Sequence, residues 1–114
     1  MKILEQRGKE LSKREIYKMS KDNGLVMMKN VEDNTLIDVV ATLKFVDEKE
    51  NDDTTIYSVM DKDGICYAFQ SKTFYDSLMD IMDIMEDETS DYVSIIKISG
   101  KTKSGRDFIN CKLA

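Results

Sequence analysis

The sequence predicts a mainly β chain with two helices, and three observations carry that prediction. Five runs rich in β-branched and aromatic residues are separated by short polar or glycine-containing segments, as strands are. One window, beginning near Thr73, instead repeats its apolar residues at helical spacing. No proline interrupts any of these segments.

Taken in order, Ser12-Lys13-Arg14-Glu15 matches a capping box, so a short helix is expected from Lys13 to about Lys21. Ile16 and Met19 would face inward, and Asp22-Asn23-Gly24 would end it. Residues 1–9 show no periodicity, Leu25 to Met28 is too short to type, and Val31 to Asn34 reads as a turn. Thr35 to Val46 is a long strand with Ile37, Val39, Ala41, Leu43 and Phe45 in alternation, long enough to bend and serve two halves of a barrel. Asp47 to Asp53 is expected to be a solvated acidic loop. Thr54 to Met60 and Ile65 to Gln70 form a hairpin around the turn Asp61-Lys62-Asp63-Gly64. Ser71 or Thr73 caps the second helix, whose stripe of Phe74, Leu78, Ile81, Met82 and Met85 faces the core. Tyr92 to Ser99 and Arg106 to Leu113 form the last hairpin, bounded by Gly100 and Gly105.

Strand, strand, strand, helix, strand, strand is the order of the OB-fold, a five-stranded Greek-key barrel. The expectation is therefore an OB-like barrel over residues 35–114, preceded by a helical extension over 1–34, in a single domain of 114 residues. A chain of this length buries roughly two thirds of its unfolded surface.

Composition narrows the function. There is no histidine, which removes catalytic triads and the commonest metal ligand. Cys66 and Cys111 lack nearby Cys or His partners for a zinc site and are expected to be free, buried thiols. Gly100-Lys101-Thr102 resembles the end of a phosphate-binding loop, but Ile95 stands where that motif needs glycine, and a strand follows. Asp61-Lys62-Asp63-Gly64 lacks the remaining ligands of a calcium loop, and Asp80 and Asp83 read as a solvated helix face. No enzyme, cofactor or metal is expected. Neither a signal peptide nor an apolar run long enough for a membrane span is visible, so a cytoplasmic location is expected.

The net charge of −5 conceals a segregation. Residues 1–30 hold eight Lys/Arg against four Asp/Glu, residues 31–93 four against seventeen, and residues 94–114 five against one. Exposed charges are screened over about 8–10 Å, so local field decides what docks where. On the last strand, Asp107, Ile109, Cys111 and Leu113 share the core-facing side, while Arg106, Phe108, Asn110 and Lys112 share the other. Two cations, an amide and a ring suit a polyanion whose bases stack. Lys101 and Lys103 in the adjoining loop extend that surface, and Lys97 lies on the partner strand. Tyr57 and Tyr67, facing each other across the middle hairpin, are the next candidate stacking rings, with half-buried strand aromatics as the alternative reading.

The stretch Ile98-Ser99-Gly100-Lys101-Thr102-Lys103-Ser104-Gly105-Arg106-Asp107-Phe108-Ile109-Asn110-Cys111 resembles the small single-stranded-DNA-binding proteins of bacteriophages and mobile elements of Gram-positive bacteria. Gly8-Lys9-Glu10-Leu11-Ser12-Lys13-Arg14-Glu15-Ile16-Tyr17 and Ser71-Lys72-Thr73-Phe74 are similar too. The resemblance implies non-specific coating of single-stranded DNA during phage replication, without a cofactor, with replication proteins as further partners. It makes Lys101, Lys103, Arg106 and Phe108 binding residues. The alternative is a non-enzymatic phage module that binds a host factor through its acidic surface. The sequence leaves the oligomeric state open.

Overall fold

The computed structural model describes the backbone of residues 1–49 and 52–114, and side chains outside residues 49–53. Its elements are β1 (Lys2–Gly8), α1 (Lys13–Ser20), β2 (Val26–Met27), a 3-10 turn (Met28–Asn30), β3 (Leu36–Lys49), β4 (Asp52–Asp61), β5 (Cys66–Phe69), α2 (Lys72–Ile84), β6 (Val93–Lys101) and β7 (Asp107–Leu113). The fold is mainly β with two helices and one curled, mixed sheet. Among the described residues seven strands stand where five were expected. They pair in the order β2-β5-β4-β3-β6-β7, with β1 beside β3. Among the described residues no pairing closes β7 onto β5, so the sheet is a half-barrel. The expected acidic loop at Asp47 to Asp53 is instead two strand ends, and positions 50 and 51 of it lie outside the described residues.

The long strand β3 organises this sheet. Its first four residues pair with β6, and its later residues pair with β1 on that same edge, while β4 takes the other edge. The change of partner falls at a β-bulge, where the pairing with β4 slips between Val39 and Ala41. A bulge inserts one residue, bends the strand and reverses which face later side chains reach. Ile37 and Val39 consequently sit in one core cluster, and Ala41, Leu43 and Phe45 sit in another. The single alternating face expected over Ile37 to Phe45 is thus split in two.

The chain leaves β1 at this bulge. The Val40 carbonyl accepts from the Lys9 N–H at 2.9 Å. Gly8 has φ +90°, and a Cβ there would lie 2.4 Å from the Val40 oxygen, so only glycine fits. Residues 1–34 are accordingly more than a helical extension, because β1 and β2 both join the sheet.

Each face of the sheet is covered by a helix. Helix α1 starts with the expected capping box: Glu15 N–H donates to Ser12 Oγ, and Ser12 N–H donates to Glu15 Oε1. It lays fully buried Met19, with Ile16, against Ala41, Leu43, Phe45, Met60 and Cys66. Helix α2, capped by Ser71 Oγ accepting from Phe74 N–H, packs Phe74, Tyr75, Leu78 and Met82 on the other face. Burying one such large side chain stabilises by about 1.5–3 kcal/mol. Tyr75 and Asp83 also tie α2 to β1: the Tyr75 hydroxyl donates to Glu5 at 2.7 Å, and Arg7 pairs with Asp83 at 2.5 Å. Cys66 and Cys111 are free and buried, as expected. No helix among the described residues is long and apolar enough to cross a membrane.

Candidate nucleic-acid interface

The last hairpin, β6–β7, carries most of the expected site. Its turn is pinned by Thr102, whose N–H donates to the Arg106 carbonyl at 2.9 Å and whose Oγ1 accepts from Arg106 N–H at 3.1 Å. Lys103 and Arg106 are held exposed at this tip. Lys101 is also exposed but faces Asp107 across the ladder, 3.1 Å away. An ion pair this open contributes about 0–1 kcal/mol and leaves the lysine available to another anion.

The parity expected for β7 holds where burial is concerned. Cys111 is buried and Ile109 packs on the α2 core, while Arg106, Phe108 and Lys112 are exposed and Asn110 is half-buried. Asp107 and Leu113, expected on the core side, are exposed because they lie at the two ends of the strand.

Gly100, expected to bound the loop, lies within β6 directly opposite Phe108. A Cβ on Gly100 would come within 2.8 Å of Phe108 Cζ. The tip of the ring therefore fills the volume that a side chain would take, which stabilises the otherwise bare glycine backbone. Phe108 remains 36% exposed. A ring laid on glycine at the rim of a sheet, in a hairpin that carries exposed cations, is a platform on which a base can stack.

Beside the hairpin, a groove of about 860 Å³ occupies the gap that the half-barrel leaves open. Ala68 to Ser71 line it on the β5 side, Met27, Lys29 and Asn30 come from β2 and the 3-10 turn, and Ser99, Gly100, Phe108 and Ile109 come from the hairpin. Lys29, Asn30, Gln70 and Ser71 add polar groups to this groove. Each lies within three residues of the end of a short strand at the open seam, and of the four only Ser71 was marked in the sequence, as a helix cap.

Three expected binding residues are placed otherwise. Lys97 also lines the groove, but it is 3% exposed. Its ammonium donates to the Val31 carbonyl at 2.8 Å and to Asp33 at 3.0 Å. Asp33 also accepts from Ser99, and these bonds hold its carboxyl below the ordinary range. Lys97 thus locks residues 31–33 onto the sheet. Tyr57 and Tyr67 are both core rings. Tyr57 stacks on Tyr75 with centroids 4.3 Å apart. Tyr67 reaches Asp61 with its hydroxyl at 3.4 Å, and burial, then Asp61, pushes its phenol up. Both rings lie in the core cluster under α2, so of the two readings open for them the stacking one has no free ring face here.

No curated protein and no solved structure matches this chain. A family model described as phage single-stranded DNA-binding protein, of the Phi29 type, matches residues 8–114 and so spans both helices and the whole hairpin. The chain belongs to the phage single-stranded DNA-binding protein family.

Proposed function

We propose that this protein coats single-stranded DNA with little sequence preference during phage replication, in the cytoplasm of the infected cell and alongside replication proteins. On this reading the whole chain works as one OB-type unit whose contact surface is the β6–β7 hairpin and the groove beside it. Phe108 stacks a base. Lys103, Arg106 and Lys112 meet phosphates, with Lys101 shared between Asp107 and the strand. Asn110 offers its amide to sugar or base. Lys97, Tyr57 and Tyr67 serve the fold.

The observation that carries the reading is the Phe108 ring lying on Gly100 in a hairpin that also carries exposed Lys103, Arg106 and Lys112, none of which has an ion-pair partner among the described residues. Stacking accepts every base because each has a π-face, and phosphate contacts carry no sequence information, so this pairing of groups favours coating over readout.

Titration of labelled oligo-dT at several salt concentrations tests it. Three to four phosphate contacts give a slope of log K against log[salt] of roughly −2 to −3, at about −0.7 per phosphate on single strands. Duplex DNA binds much more weakly, since paired and stacked bases present no free face. A flat salt response, or equal affinity for duplex, overturns the reading.

A further inference from the structure

Helix α1 presents a second surface of the same chemistry. Lys13, Arg14, Tyr17 and Lys18 are related by three- and four-residue spacings, which places them on one face of the helix, opposite Ile16 and Met19. Tyr17 is 59% exposed, more than any other aromatic residue in the chain. The neighbouring Lys9 and Lys21 are engaged by Glu15 and Asp47. Among the described residues Lys13, Arg14 and Lys18 have no ion-pair partner. These four residues, with Asp22, line a shallow depression of about 550 Å³. Asp22 is the one acidic group there, and its carboxylate accepts from the Gly24 N–H.

The position of α1 gives this face its meaning. In OB-folds the outer face of the middle strands and the adjoining loops commonly bind oligonucleotides. Here that face of β3, β4 and β5 is buried under α1, so whatever passes over it meets the outside of the helix. Lys18 and Asp22 continue into a smaller cleft over the β4–β5 turn, at the start of β5. The hairpin groove begins at Ala68, toward the end of β5. The cleft reaches Cys66 and the groove starts two residues further along β5, so their nearest lining residues lie roughly 7 Å apart along the strand at about 3.3 Å per residue. β2 runs beside β5 between them.

We infer that α1 forms a second contact for the same DNA strand as it leaves the hairpin groove, with Tyr17 stacking a base and Lys13, Arg14 and Lys18 meeting phosphates. This rests on the reading of the hairpin as the primary contact. It predicts that affinity grows in two stages with the length of the strand.

The test compares oligo-dT of about 5 and about 20 nucleotides, one near the short end of and one beyond the ~4–16 nucleotides covered by one OB-fold. Wild-type protein is set beside Tyr17→Ala and the double variant Arg14→Gln/Lys18→Gln. Tyr17→Ala is expected to weaken the long oligonucleotide about five- to a hundred-fold and to leave the short one unchanged. The double variant is expected to reduce the salt slope on the long oligonucleotide by about 1.4. Photocrosslinking of a halogenated uracil strand to Tyr17 gives a readout that a purely structural role would not produce. Unchanged long-strand affinity in both variants overturns the inference, as does parallel loss at both lengths accompanied by a lower melting temperature. Capture of an acidic protein by this face, with DNA affinity untouched, overturns it too. Failure of the wild-type chain to bind either length defeats the hairpin reading itself. Loss of short-strand binding in Phe108→Ala, with Tyr17→Ala fully active on the long strand, defeats only the α1 contact.

Discussion

Phe108→Ala separates the ring's part in the fold from its part in binding, and the structure fixes the size of both. Full burial of a phenylalanine stabilises by about 1.5–3 kcal/mol. Phe108 is 36% exposed, so about two thirds of that, roughly 1–2 kcal/mol, is lost on truncation. The site opens to solvent, so no closed cavity adds to it. The loss on the DNA side is the stacking contribution, about 1–3 kcal/mol, or about five- to a hundred-fold in Kd for oligo-dT. Ile95→Ala is the control from the core. Ile95 is fully buried in the α2 cluster and does not line the groove, so its truncation is expected to cost about 2–5 kcal/mol of stability and to spare affinity in the folded protein. Gly100→Ala is the third arm. Its new Cβ would sit 2.8 Å from Phe108 Cζ, so the ring must shift although every cation stays in place. Affinity is expected to fall in Gly100→Ala with an unchanged salt slope. Thermal melts and titrations on the three variants decide the matter. Phe108→Ala that is folded and binds oligo-dT within about twofold of wild type refutes stacking on this ring, and loss of affinity in folded Ile95→Ala alone means that the binding face has been assigned to the wrong side of the sheet.

Asp33→Ala strands the buried Lys97 ammonium with the Val31 carbonyl alone, whereas Lys97→Met removes the charge and keeps the volume; the first is expected to lower the melting temperature more, and the reverse order would refute the locking role. Burial pushes the Cys111 thiol up to about 12 and raises Cys66 as well, so at pH 8 neither should react with a thiol reagent until the protein unfolds, and prompt native labelling would contradict this. The Glu15 carboxyl is drawn down from 4.5 to about 2, first by its bond with Lys9 and then by Ser12 N–H. Because the folded value lies below the unfolded one, this contribution is complete above about pH 4.5 and is lost as pH falls toward about 2. Glu15→Gln should remove that part of the acid transition followed by circular dichroism, and an unaltered acid profile would show that the capping box does not couple to folding.

What the sequence revealed and what it hid follow from how many faces of each strand are buried. β7 has one buried face, so its period of two separates Cys111 from Phe108 without further information. β4 and β5 are covered by α2 on one side and by α1 on the other, so alternation there says nothing about exposure, and Tyr57 and Tyr67 were legible only as strand residues. In β3 the bulge at Val40 reverses the parity, a backbone event with no residue-type signature in Asp38-Val39-Val40-Ala41. β1 is ordered by pairing with β3 and buries almost none of its side chains, so it leaves no hydrophobic pattern to find. Lys97 is a different case. It pairs with Cys111 in the ladder and so falls on the core face, a register that the structure supplies. Its partner was hidden too, since Asp33 lies 64 residues away in the chain.

The same accounting explains how a chain with a net charge of −5 keeps locally cationic surfaces. The acidic middle does not act as one field. Asp33, Asp38, Asp47 and Asp83 hold Lys97, Lys62, Lys21 and Arg7, each joining segments distant in sequence. Such pairs cancel locally, and screening over about 8–10 Å keeps the remaining carboxylates from reaching across the molecule. Among the described residues the cations left without a partner include Lys13, Arg14 and Lys18 on α1 and Lys103, Arg106 and Lys112 on the hairpin. Each group has its own exposed ring, Tyr17 in one and Phe108 in the other. Pairing by the fold, more than composition, thus decides which cations remain to meet phosphate, and it leaves them at the two places where a base can also stack.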